Sequence, residues 1–150
     1  MSAGALRVAL VVVAAGCGGP RAPATPPADL AYADMSHEQR VAFMERTVMP
    51  EMRRAFAEFD PAFADMDCAT CHGAGVDDGT YQLPNPELWT LPTQAGWAAL
   101  APDDDQTRWL EFMGGVVKPR MAALLGMSDY DWQTGVGDFN CGHCHPQATD

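Results

Sequence analysis

Four of the five cysteines of this 150-residue chain fall in two copies of one pattern, Cys68-Ala-Thr-Cys71-His72 and Cys141-Gly-His-Cys144-His145. No other feature restricts the fold as strongly. Whatever each pair holds, the chain must gather two cysteines and the histidine that follows them, twice, within the length of a single domain.

Three chemistries compete for such pairs. Exported cysteines form disulfides, which explains the even number in the motifs but gives His72 and His145 no part. Two Cys-x-x-Cys pairs supply the four thiolates of a zinc site. The distance from Cys71 to Cys141, 141 − 71 = 70 positions, is long for a zinc knuckle, and both histidines again stand idle. In the third chemistry the cysteines form thioethers to the vinyl groups of a haem, and the adjacent histidine is the proximal iron ligand. Every residue of both motifs then has a role, so two covalently bound haems are the leading expectation.

The N-terminus fits a compartment where such haems are attached. Arg7, the apolar run Val8–Ala15 and then Gly16-Cys17 read as the charged, apolar and small-residue regions of an export signal. The run falls short of the ~20 apolar residues a spanning helix needs. Ala14-Ala15-Gly16-Cys17 resembles the lipobox of bacterial lipoproteins, with Ala14 where Leu is usual, which implies lipidation at Cys17. An ordinary signal peptide with an incidental cysteine is the alternative. By the same resemblance, Gly18 after that cysteine points to the outer membrane. Residues 17–34 are rich in Pro and Ala without apolar periodicity and read as a tether. The expected organisation is a signal at 1–16, the tether at 17–34 and one domain at 35–150.

The chain carries 20 acidic against 9 basic residues, a net charge of −11. That balance argues against nucleic acid, which is bound through Lys and Arg at phosphates. It suits either plain solubility or an acidic surface that steers a basic redox partner.

The domain reads as one unit used twice. Ser36 with Gln39 forms a capping-box pattern, followed by Val41, Met44, Val48 and Met52 at helical spacing. Pro50 is expected to end or kink this helix, with a second helix running on to Phe59. In the second half Asp103 pairs with Gln106. Phe112-Met113, Val117, Pro119 and Met121 then match Phe43-Met44, Val48, Pro50 and Met52. Each copy leads into its Cys-x-x-Cys-His. Residues 73–102 are dense in Gly and Pro yet carry Tyr81, Trp89 and Trp97, which suit a lid over a cofactor or an ordinary core. Strand signals are scarce. The expected fold is mainly α with long loops, built from two helix–loop–Cys-x-x-Cys-His haem-binding units in one domain.

With these motifs in place the chain resembles the c-type cytochromes. Its layout is most similar to the cytochrome subunit of photosynthetic reaction centres, over about residues 36–72 and 106–145. In that family a helix lies just ahead of each haem motif, and most haems take a distal methionine from it. The resemblance implies thioethers at Cys68, Cys71, Cys141 and Cys144 with proximal ligands His72 and His145. Nothing in the sequence indicates photosynthesis.

The distal ligand must come from upstream of each motif. Residues 73–112 hold no Met or His, and nothing after His145 can serve. Equivalence under the repeat favours Met52 with Met121 or Met44 with Met113, and the family layout implies Met52 and Met121. His37 would make the first haem bis-histidine, although its place in a first helical turn reads as surface. His143, between the cysteines of its motif, reads as a bystander. Tyr81, Trp89, Trp97 and Trp109 are expected to shield the haems from water, or simply to pack.

Two His/Met irons leave no open coordination position, and no catalytic triad, phosphate loop or second metal motif is present. The function expected is single-electron transfer by a lipid-anchored dihaem cytochrome facing the periplasm. A haem enzyme or gas sensor with one open iron is the alternative.

Overall fold

The structure is a computed structural model that describes residues 30–149. The export signal, Cys17 and most of the tether lie outside the described residues. Regular structure begins at Tyr32, inside the stretch expected to be tether. A short 3-10 turn there, Tyr32–Asp34, is fastened by Arg40, whose guanidinium donates to the Ala33 carbonyl at 2.8 Å and lies over the Tyr32 ring. Tyr32 also packs on Phe43, ring centroids 5.5 Å apart.

The molecule is mainly helical, and its long loops contain only isolated β-bridges among the described residues. Helix α1 (His37–Phe43) opens with the expected capping box: Ser36 N–H donates to Gln39 Oε1 at 2.8 Å, and Gln39 N–H donates to Ser36 Oγ at 3.3 Å. Two orphan amides of the first turn are thereby satisfied. Helix α5 (Asp104–Phe112) opens in the same way on Asp103 and Gln106.

Pro50 and Pro119 do not end their helices. Each is approached through one π-helical turn, Met44–Val48 and Met113–Val117, which passes directly into α2 (Met49–Phe59) and α6 (Lys118–Leu125). The reason is the amide proline lacks. The residue before each proline sends its N–H five positions back, Met49 to the Met44 carbonyl and Lys118 to the Met113 carbonyl, and the wider turn makes room for the ring. The two π turns stand at the same register, 113 − 44 = 69 positions apart, as do the prolines, 119 − 50 = 69. Helix α6 closes on Gly126, whose positive φ of 68° allows the last carbonyls to be capped.

The two helical stretches pack crosswise, α2 on the second π turn and α6 on the first. Their contact is the core: Val48, Met52, Phe56, Met66 and Phe112, with Cys71, Trp109, Met113 and Met121 against it. Phe112 stacks on Phe59 at 4.0 Å and meets Phe56 edge-on at 4.9 Å. Each large side chain buried here contributes about 1.5–3 kcal/mol. Among the described residues no helix is long and apolar enough to cross a membrane.

Candidate functional site

Both cysteine motifs fold into the same small turn. In the first, helix α3 (Ala69–His72) follows Cys68, and His72 N–H donates to the Cys68 carbonyl at 2.9 Å. In the second, a 3-10 turn (Cys141–His143) leads on so that His145 N–H donates to the Cys141 carbonyl at 2.9 Å. The cysteines of each motif and the histidine after them are thus wound round one turn. All four thiols are unpaired. No group of three or more His, Cys, Asp or Glu side chains is placed to share a metal ion among the described residues, so the two pairs do not assemble into a four-thiolate cluster.

Each motif histidine is held through one ring nitrogen by a main-chain carbonyl. Nδ1 of His72 lies 2.9 Å from the Tyr81 carbonyl, and Nδ1 of His145 lies 2.9 Å from the Trp89 carbonyl. A carbonyl only accepts, so Nδ1 carries the proton and donates. The Nε2 lone pair is therefore the one available for a metal. Burial also pushes the His72 pKa down, with the Tyr81 hydrogen bond opposing, which favours the neutral ring a metal ligand needs. Tyr81 adds its own ring, edge-on to His72 at 5.6 Å.

Both carbonyls come from the segment between the repeats, which crosses one motif and then the other. Between Tyr81 and Trp89 stands Asn85, 3% exposed. Its backbone N–H donates to the Cys144 carbonyl at 2.9 Å, its Nδ2 donates to the Cys71 carbonyl at 3.1 Å, and its Oδ1 accepts from Glu87 N–H at 2.9 Å. Gly73 makes this approach possible. At φ +54° a Cβ there would stand 2.6 Å from Glu87 Oε2 and 2.9 Å from Asn85 Nδ2. Leu91 finishes the crossing, giving its N–H to the Pro146 carbonyl at 2.8 Å and accepting from Ala148 N–H at 2.9 Å.

The second motif faces an apolar recess. Met121, Met113 and Val117 line it together with Cys141, Cys144 and His145. Lys118 lies at its edge, buried, with Nζ donating to Asp129 Oδ1 and to the Tyr130 carbonyl, each at 2.6 Å. The first motif differs. Cys71 packs against the core that contains Met52, itself 3% exposed, while His72 borders a more polar hollow with Asp78, Thr80 and Asn85. Met44, like Met113, lies partly buried against the same core.

Burial pushes the Cys71 thiol up to about 11 and the Cys144 thiol up to about 12. It raises Cys68 and Cys141 as well. In the metal-free protein these positions favour the neutral thiol over the thiolate. Two cysteines at a turn, a histidine with Nε2 free, and an apolar recess with thioether donors in or near it together fit a covalently attached haem.

The other residues singled out in the sequence separate cleanly. His37 is exposed, its ring 6.1 Å from Tyr81. His143 is exposed too, stacked on Phe139 at 4.8 Å and tied to Asn140. Trp109 belongs to the Phe59, Phe63 and Phe112 cluster of the core. Trp97, on helix α4 (Gln94–Ala99), pairs edge-on with Trp89 at 5.7 Å, but the two remain 39% and 49% exposed. Sequence reasoning passed over Asn85 and Lys118. Asn85 sits between Pro84 and Pro86, a turn signal that says nothing of its partners, and Lys118 stands two residues from Arg120 with no acidic neighbour in sequence to mark it as buried.

Searched against protein-family models, curated proteins and solved structures, the chain matches none.

Proposed function

We propose that this chain is a dihaem c-type cytochrome that passes single electrons. The observation that carries the reading is the pair of Nδ1–carbonyl hydrogen bonds at His72 and His145, because each fixes the tautomer that leaves Nε2 to iron. In this reading Cys68, Cys71, Cys141 and Cys144 anchor two haems through thioethers, and His72 and His145 are proximal ligands. Met52 and Met121 close the far sides. Their equivalent register after Pro50 and Pro119 supports the pair, and Met121 shares its recess with Cys141, Cys144 and His145. Haem iron supplies one-electron chemistry when bound, with a potential raised by methionine ligation. The chain holds each histidine in one tautomer and surrounds the second site with apolar side chains that limit water.

Export and lipidation at Cys17 would tether the carrier to a membrane on its periplasmic side, the outer membrane by the lipoprotein resemblance. The net charge of −11 suits a redox partner with a basic docking patch, and gives no footing for nucleic acid.

Carbon monoxide tests the carrier reading on reduced holoprotein. Two methionine-closed irons stay low-spin and do not take up the gas on mixing. Rapid binding at one haem would instead assign an open site and an enzyme or sensor role. Replacing Cys17 with Ser should move the protein from the membrane to the soluble fraction; a soluble unmodified protein would refute the anchor.

A further inference from the structure

We infer that Asn85 is a positioning residue shared by both metal sites, and that through it the two haems behave as one interacting pair rather than two independent centres. The inference rests on the dihaem reading and goes beyond it. A histidine carbonyl partner can be supplied locally, as Tyr81 does for His72 from nine positions away. Asn85 does something a local partner cannot. One buried residue spends its main-chain donor on the Cys144 carbonyl and its side-chain donor on the Cys71 carbonyl. Cys71 and Cys144 are the cysteines directly before the two proximal histidines, so both turns are fixed to the same residue, one hydrogen bond each.

The arrangement is built to be stiff. Asn85 Oδ1 accepts from Glu87 N–H, which sets the side-chain amide so that Nδ2 faces Cys71. The flanking prolines restrict the backbone on both sides. Gly73, next to His72, has no Cβ, which lets this side chain lie close against its backbone. Tyr81 and Trp89, four residues to either side of Asn85, hold the two histidines. Movement of the 81–91 segment therefore displaces both proximal ligands together. A buried amide that lost its Cys71 partner would leave that carbonyl unpaired, and the disturbance would pass along a continuous hydrogen-bonded path to the other turn.

The test uses holoprotein carrying the single change Asn85→Leu. Leucine is close in size, removes Nδ2 and Oδ1, and leaves the bond to Cys144 intact. Resolved redox titration and visible circular dichroism of both haems are the readouts. The expected result is that both midpoint potentials move and the paired-haem dichroism weakens, although of the two motif turns the lost side chain bonds only that of Cys71. A change confined to one haem, or none, would overturn the inference while leaving the dihaem reading in place; failure to find two haems would sink that reading first.

N85A keeps the test decisive if the leucine variant does not accumulate. It removes the same Nδ2 and Oδ1 without adding bulk and leaves the main-chain bond to Cys144 in place. Both midpoint potentials should again move; a change at one haem only, or at neither, would overturn the proposal.

Discussion

The carbonyl of Trp89 lies 2.9 Å from Nδ1 of His145, a residue 56 positions further along the chain. The segment between the repeats is thus part of the second site, although it adjoins the first in sequence. Leu91, two residues on, secures this crossing with two main-chain bonds and is itself buried. Leu91→Ala should cost about 2–4 kcal/mol in chemical denaturation.

Gly73 makes a sharper prediction. A methyl group there meets Glu87 and Asn85 at 2.6 and 2.9 Å on a backbone of positive φ. Gly73→Ala should therefore destabilise by about 1–3 kcal/mol, measured by denaturant midpoint. Gly114 and Gly115, where an added Cβ meets nothing within 4 Å, should take Ala with little loss or a small gain.

The proposed distal ligands separate by single replacement. Met121→Leu keeps the volume and removes the sulfur, so it should abolish the methionine–iron signature at one haem, and Met52→Leu should do so at the other. Stability should change by less than about 1.5 kcal/mol in the apoprotein, since the swap conserves volume. Loss of the signature on Met113→Leu or Met44→Leu instead would show that the ligand lies eight residues earlier, at the start of the π turn.

Thiol chemistry reports the same sites without haem. In protein made without haem attachment, Cys71, pushed up to about 11, and Cys144, pushed up to about 12, hold little thiolate at pH 8. Their alkylation should run about tenfold or more behind that of an ordinary exposed thiol, because the lost thiolate fraction outweighs the greater nucleophilicity of a more basic sulfur. Raising the pH should close the gap. In the mature protein none of the four should react, each being a thioether.

Much of this was written locally and could be read locally. The capping boxes at Ser36 and Asp103, the course of α2 to Phe59 and the equivalence of Pro50 with Pro119 all depend on residues within a few turns of one another. The π turns were not legible. Proline announces a missing donor, but whether the helix breaks, bends or widens depends on the partner helix packed across it. Asn85 escaped for a related reason: its partners stand 14 and 59 positions away, 85 − 71 and 144 − 85, and spacing does not encode such pairs. Lys118 escaped likewise, because the groups that hold it, Asp129 and the Tyr130 carbonyl, stand 11 and 12 positions on. Tryptophans 89, 97 and 109 looked alike as shielding groups, yet Trp109 is core and the other two face outward.

The central claim is that each Cys-x-x-Cys-His turn carries a covalent haem. The intact mass of the protein produced with haem-attachment machinery, taken together with its pyridine haemochrome spectrum, tests it directly. Two haems per chain that survive denaturation are expected, falling to one when either Cys68 with Cys71 or Cys141 with Cys144 is replaced by Ser. A chain without covalent haem, holding zinc or disulfides at these cysteines, would contradict it.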